Sequence, residues 1–182
     1  MKHLAYIKAK LVPALLFVPL LACQKNDMDN LFGKSPNQRI ETARTDLYKE
    51  LMAAKDGWKF DYYPRLLDGS TDSVKFTYLF KFIDSTRVVM KASNHIGVQD
   101  TSEYDVALGS TIKLRFTTYN FIHELADAAN SDKYKTGGRG AAGEFEFLYY
   151  GKEGSDLHFK TNREQKDIRL VPATSESWNK AE

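Results

Sequence analysis

The stretch that decides the class of fold is Ser73-Val74-Lys75-Phe76-Thr77-Tyr78-Leu79-Phe80-Lys81-Phe82. Large apolar residues occupy every second position from Val74 to Phe82, and the positions between them are mostly polar. Because successive side chains of a β-strand point to opposite faces, this pattern predicts a strand with one buried face. The turn sequence Asp84-Ser85-Thr86 leads into a second apolar run at 87–92, which predicts a β-hairpin.

Six further segments have strand patterns. Trp58, Phe60 and Tyr62 alternate with Lys59 and Asp61, and Gly109-Ser110 separates two alternating runs. The additional predicted strands are 58–63, 103–108, 111–118, 144–151, 156–161 and 166–171. Eight strands at this spacing predict a mainly β fold with flanking helices, in which antiparallel strands form a meander-like barrel or a sandwich.

Two helices complete the predicted fold. Ser35 is a favourable N-cap, Pro36 suits the first helical position, and apolar residues from Ile40 to Ala54 recur at helical spacing. Gly57 is a favourable C-cap, so we predict an N-terminal helix over 36–56. A shorter helix is predicted over 121–129, within the second half of the chain.

The N-terminal segment predicts a membrane anchor outside the cytoplasm. Lysines precede a short apolar stretch that ends in Leu20-Leu21-Ala22-Cys23, the layout of a secretory signal peptide of the lipoprotein type. We therefore predict a signal peptide over 1–22 and a lipidated Cys23 as the new N-terminus. A flexible tether over 23–34 and one β-rich domain over 35–182 follow.

Composition excludes several classes of function. Removal of residues 1–22 takes away three lysines, so 23 cationic side chains remain against 24 acidic ones and the net charge is −1. Without a basic patch, the sequence does not predict nucleic-acid binding. Cys23 is the only cysteine, which excludes an internal disulfide and cysteine-type zinc sites. Neither a metal site nor a cofactor is predicted, because His95, His123 and His158 have no metal-ligand spacing.

Carboxylates keep a hydrolase open as an alternative. Glu144 and Glu146 share a strand face, and Asp105 lies on another strand, so they are the candidate acids of a polysaccharide hydrolase. The glycine-rich stretch 137–143 precedes a predicted strand, which favours a loop over a phosphate cradle.

Aromatic residues are the candidate ligand-binding side chains. Adjacent tyrosines in a strand point to opposite faces, so one member of each pair Tyr62-Tyr63 and Tyr149-Tyr150 must point away from the core. Exposed tyrosines stack on sugar rings or contact protein partners. The predicted ligand-binding residues are therefore Trp58, Tyr62, Tyr63, Tyr149 and Tyr150. The alternative is that these rings pack beneath a second layer such as the N-terminal helix.

An ordered set of segments resembles one known family. These segments are 32–39, Gly57-Trp58 with Tyr62-Tyr63-Pro64, 78–82, 117–120 with His123, 143–151, 159–163, 168–174 and Trp178. Together they are similar to Bacteroidota outer-membrane lipoproteins of domain-of-unknown-function family 4302. The resemblance implies a lipid-anchored envelope protein, often encoded near glycan-uptake systems, without established activity or catalytic residues. Because members are usually longer, it also implies a short or truncated member that holds the N-terminal domain only.

The expected function follows from these features. The segment Cys23-Gln24-Lys25-Asn26-Asp27 is similar to the lysine-plus-acid signals that send such lipoproteins to the cell surface. We expect a non-enzymatic lipoprotein of the outer membrane, exposed at the surface, which binds a glycan or a partner protein. The alternatives are a polysaccharide hydrolase and a lipocalin-like carrier of a small apolar ligand.

Overall fold

A computed structural model describes residues 33–64, 74–130 and 141–180. The predicted signal peptide, Cys23 and most of the predicted tether lie outside these residues. In the described part of the chain, no helix combines the length and the apolar composition needed to cross a membrane.

Eight antiparallel strands close into a barrel, which confirms the mainly β prediction and decides against the sandwich. Each strand pairs with its neighbours in chain order, and β1 pairs with β8. The strands are β1 Trp58–Tyr62, β2 Phe76–Phe82, β3 Arg87–Ala92, β4 Gln99–Leu108, β5 Ile112–Phe116, β6 Glu146–Glu153, β7 Asp156–Thr161 and β8 Asp167–Pro172.

Two of the strand pairings are short. Strand β1 pairs with β8 only over Trp58–Phe60, and β5 pairs with β6 only over Lys113–Arg115. These two seams divide the barrel into a five-stranded ribbon, β1 to β5, and a three-stranded ribbon, β6 to β8.

Aromatic side chains fill the interior of the barrel. Phe60 of β1 packs edge-on against Phe147 of β6, with ring centroids 5.3 Å apart. Phe80 of β2 lies 5.0 Å from Phe116 of β5. Because neither pair joins neighbouring strands, the rings meet across the interior. A carrier barrel needs space in its interior, so the lipocalin-like alternative is not supported.

Helix α1, Pro36–Ala53, closes one end of the barrel, which we call the helix end. Its side chains Leu47 and Leu51 are each 1% exposed and belong to the core. Gly57 ends the helical segment with φ of +74°, and its N–H donates to the Ala54 carbonyl. A Cβ at Gly57 would overlap the carbonyl oxygen of Phe80, so glycine is required there for two reasons.

The opposite end, the loop end, is closed by the connection between β5 and β6. The predicted helix over 121–129 is wrong as a continuous helix: two short 3₁₀ turns, His123–Leu125 and Ala128–Asn130, occupy this region. The apolar spacing predicts that Phe121, Ile122, Leu125 and Ala129 face the sheet. The first three are buried, whereas Ala129 is exposed. Gly143 packs so closely on Leu125 that a Cβ would overlap its side chain.

A short C-terminal helix, α2 (Ser175–Lys180), was not predicted, because it is short and mostly polar. The indole Nε1 of Trp178 donates to the Asp56 carbonyl at 2.6 Å. The Lys91 ammonium, on β3, donates to the Trp178 carbonyl at 3.1 Å. These bonds hold α2 on the outer wall of the barrel.

Candidate functional site

The structure separates the five predicted aromatic residues into two groups. Trp58 and Tyr62 are 2% and 3% exposed and belong to the core. The Trp58 indole donates to the Leu51 carbonyl, and the Tyr62 hydroxyl accepts from the Glu144 N–H. Burial also raises the pKa of the Tyr62 hydroxyl. Their side chains hold the barrel together and offer no surface to a ligand in this conformation.

Tyr63 and Tyr150 are exposed, but at different ends of the barrel. Tyr63 follows β1 at the loop end, whereas Tyr150 lies in the second half of β6, near the helix end. Their side chains are 46% and 53% exposed. The two predicted tyrosine pairs therefore do not form one surface.

A groove of about 640 Å³ lies between helix α1 and the adjoining ends of β5 and β6. We call it the tyrosine groove. Its volume falls within the range of small-molecule clefts. It is lined by Ala43, Asp46, Ser110, Thr111, Ile112, Tyr149, Tyr150 and Gly151.

An irregularity in β6 sets the two tyrosines in this groove. The register with β7 shifts between Tyr149 and Gly151, and Gly151 has φ of +117°. Tyr149 packs on Phe159 of the core with ring centroids 5.2 Å apart. Tyr150 stays on the outside, and the Lys160 ammonium lies 5.0 Å from its ring centroid. Such a bulge re-aims side chains, so the partly buried ring of Tyr149 and the exposed ring of Tyr150 line one groove.

The helix side of the tyrosine groove is acidic. Burial raises the pKa of the Tyr149 hydroxyl, and the charges of Glu50 and Asp46 raise it further. Glu50 is paired with Lys152 at 2.6 Å, whereas Asp46 pairs with the exposed Lys49 at 3.6 Å. A neutral hydroxyl and a solvated carboxylate therefore face the groove as hydrogen-bonding groups.

Several lining residues carry no signal in the sequence. Asp46 lies on the polar side of α1, and Ser110 and Thr111 belong to the turn between β4 and β5. These positions meet β6 only because the barrel and α1 bring distant segments together. A turn with two adjacent hydroxyls is a common feature, so it does not distinguish a site.

The candidate acids of the hydrolase alternative have structural partners. The Glu144 carboxylate, almost fully buried, accepts from the backbone N–H of Asn162 at 2.6 Å and of Arg163 at 3.1 Å. It therefore fastens the turn between β7 and β8 to the loop end.

The other two acids belong to a charge ladder on the outer wall. Asp105 accepts two bonds from Arg115, and Glu146 accepts from Lys113 at 2.6 Å. The Arg115 guanidinium lies 4.0 Å from Glu146 and so links the two pairs. Neither Asp105 nor Glu146 lines the tyrosine groove.

The histidines pack against aromatic rings or carboxylates. His123 lies 4.3 Å from the Phe145 ring, and its Nδ1 is 3.0 Å from Asn120 Oδ1. Burial lowers the pKa of His123, so its ring is neutral at pH 7. His95 lies on Phe121 and contacts Glu124 at 2.9 Å. Within residues 33–64, 74–130 and 141–180, no cluster of three metal-ligating side chains occurs.

Two further grooves flank helix α2. The first, about 470 Å³, includes Lys59, Thr77 and Leu79, and the second, about 460 Å³, includes Trp178. Of the predicted glycine-rich loop, 137–140 lie outside the described residues.

Comparison with known protein families identifies a match to this chain. A family model described as a domain of unknown function, DUF4302, matches residues 28–182. No curated protein and no solved structure matches the chain. The match covers the whole barrel together with α1 and α2.

Proposed function

Since the chain belongs to the DUF4302 family, for which no function is assigned, we propose that it is a non-enzymatic lipoprotein of the outer membrane that binds a glycan in the tyrosine groove. The observation that carries this proposal is the exposed Tyr150 ring beside a groove of about 640 Å³. Sugar rings present flat C–H faces, and such faces pack well on aromatic rings.

The polar lining complements this stacking platform. Ser110 and Thr111 offer hydroxyls that both donate and accept, and Asp46 offers a carboxylate that accepts from sugar hydroxyls. Because Lys160 covers part of the Tyr150 ring, the sugar stacks on the opposite face. One ring and a few polar groups suit a short segment of a glycan chain.

The anchoring part of the proposal rests on the sequence. The basic start, the short apolar stretch and the lone Cys23 support lipidation, and the tether sequence supports surface exposure. A lipid on Cys23 would hold the barrel at the outer membrane, where extracellular glycans arrive.

Glycan binding is tested with the full chain purified in detergent on a glycan array. Tyr150→Ala should weaken binding by about tenfold, which corresponds to about 1.4 kcal/mol. Tyr63→Ala is the matched control, since it removes a similarly exposed tyrosine at the loop end and should leave affinity unchanged. Equal loss in both variants would reject the tyrosine groove as the site.

If the protein binds no glycan on the array, the glycan proposal is rejected. The next experiment is then a pull-down from outer-membrane extracts. Capture that depends on Tyr150 would favour the partner protein. If the protein releases products from a polysaccharide and Glu146→Gln abolishes this release, the hydrolase is favoured. That result would contradict a non-enzymatic role.

The anchor is tested separately through Cys23→Ala. The variant should leave the membrane fraction and should not incorporate labelled palmitate, because the chain has no other cysteine. Membrane association that survives the substitution would contradict lipidation and would leave the glycan proposal intact.

A further inference from the structure

One of the two grooves beside helix α2 lies between this helix and the outer wall of β2 and β3. Its volume is about 460 Å³. Its lining combines an indole, two ammonium groups, two side-chain amides and one carboxylate. These residues are Asp56, Lys81, Lys91, Gln99, Trp178 and Asn179.

The indole in this groove is held in place before any ligand binds. Trp178 Nε1 donates to the Asp56 carbonyl at 2.6 Å, which ties α2 to the segment between α1 and β1. An immobilised aromatic side chain pays little additional entropy when a ligand packs on it. The groove therefore provides a fixed stacking surface.

The charge on the wall is positive. Lys81 lies on β2 and Lys91 on β3, and both side chains line the groove. Lys91 is only 8% exposed, and its ammonium is positioned by the Trp178 carbonyl at 3.1 Å. Among the described residues that line the groove, Asp56 is the one acid. Two cations against one carboxylate, partly removed from water, favour an anionic ligand.

The amides define the remaining chemistry. Gln99 and Asn179 each both donate and accept hydrogen bonds, so they match hydroxyl groups. We propose that this groove, the indole groove, binds a carboxylate-bearing sugar whose ring packs on Trp178 and whose carboxylate lies beside Lys81 and Lys91. It differs from the tyrosine groove, in whose lining Asp46 is the only charged side chain among the described residues.

The test compares two probes with the same sugar backbone, an oligogalacturonide whose carboxylates are charged and its fully methyl-esterified form, which is neutral. Titration calorimetry on the full chain in detergent should give at least fivefold tighter binding of the acid at 50 mM salt. This preference should shrink at 500 mM salt, because screening weakens the contribution of the lysines. Equal affinity for the acid and the ester would overturn the proposal.

Variants locate the site. Lys81→Gln should weaken oligogalacturonide binding by threefold to tenfold, and its folding is not at risk because the side chain is exposed. Trp178→Ala should remove most of the binding. Lys166→Gln, which changes an exposed lysine on the turn between β7 and β8, is the matched control and should have no effect. Unchanged affinity in Lys81→Gln would overturn the proposal.

The outcome is independent of the tyrosine groove. Tyr150→Ala should leave oligogalacturonide binding unchanged, and Lys81→Gln should leave neutral glycans unaffected. If Tyr150→Ala loses oligogalacturonide binding and Lys81→Gln does not, the oligogalacturonide binds in the tyrosine groove. That result would reject a second site.

Discussion

The two ends of the barrel are closed by different means. At the helix end, α1 inserts Leu47 and Leu51 into the core, and the Tyr48 hydroxyl accepts from the Val106 N–H at 2.9 Å. At the loop end, irregular backbone is held by side chains such as Asn120 and Glu144, which bond to N–H groups. At the helix end, the backbone groups of α1 are paired within the helix. At the loop end the backbone is irregular, so polar side chains must supply hydrogen-bond partners to its buried N–H groups. The tyrosine groove adjoins the end that a regular helix covers, and regular elements position binding residues well.

The largest expected effect is at the junction between the helix end and β1. Gly57→Ala combines a positive φ with an overlap against the Phe80 carbonyl, so we expect a loss of more than about 4 kcal/mol, or no folded protein. Gly154→Ala is the control, since φ is +60° but nothing lies within 4 Å, and it should cost about 1 to 2 kcal/mol. Urea denaturation measures both. Similar losses would show that the backbone contact at Gly57 is unimportant.

The apolar packing at the two ends of the barrel is compared by truncating one leucine at each end. Leu51→Ala should cost about 4 kcal/mol, because strands and helix around it cannot collapse into the cavity. Leu125→Ala should cost about 2 kcal/mol, because the surrounding loop can relax. Urea denaturation gives the free energy of unfolding of each variant. The values are comparable if the dependence of this free energy on urea concentration is the same in both variants. A larger loss at Leu125 would contradict this order and would show that the loop end relaxes less than the helix end.

The polar closure is tested at Glu144. Glu144→Gln keeps the shape of the side chain but replaces the charged carboxylate that accepts from the backbone N–H groups of Asn162 and Arg163. We therefore expect the free energy of unfolding to fall by about 2 kcal/mol. Glu153→Gln, on an exposed ion pair with Arg169, should change stability by less than about 1 kcal/mol. If Glu144→Gln were equally neutral, the loop end would not depend on this carboxylate.

The smallest expected effect is a pH dependence of the loop end. Burial lowers the pKa of His123, so the unfolded chain binds this proton more readily than the folded one. Stability from this residue is fully present above the unfolded pKa of about 6.5 and is lost as the pH falls below it. Denaturation at pH 7.5, 6.5 and 5.5 should show this loss, and His123→Gln should reduce it. An unaltered slope in the variant would assign the dependence to other groups.

The sequence predicted the elements of the barrel but not its closure. Alternation located β2 and β3 within a few residues, because each strand has one buried face. The polar start of β4, Gln99 to Ser102, was missed because it lacks that pattern. Pairing of β1 with β8 joins Trp58 to Pro172, and no local pattern encodes such a distance.

The candidate site was predicted only in part. Tyr149 and Tyr150 line a groove, whereas Trp58 and Tyr62 share the buried alternation of Phe60 and lie in the core. The indole groove was not predicted, because Lys81, Gln99 and Trp178 meet only through the packing of α2 on the barrel.

The two short seams have a consequence for how the chain opens. Ladders as brief as those over Trp58–Phe60 and Lys113–Arg115 break with fewer hydrogen bonds than the others, so each ribbon should behave as a cooperative unit in native-state hydrogen exchange. The tyrosine groove is lined by residues from both sides of the β5–β6 seam. A bound glycan would therefore contact both ribbons and stabilise their association. Ligand occupancy would then be visible as slower amide exchange along β6, far beyond the atoms that the sugar touches.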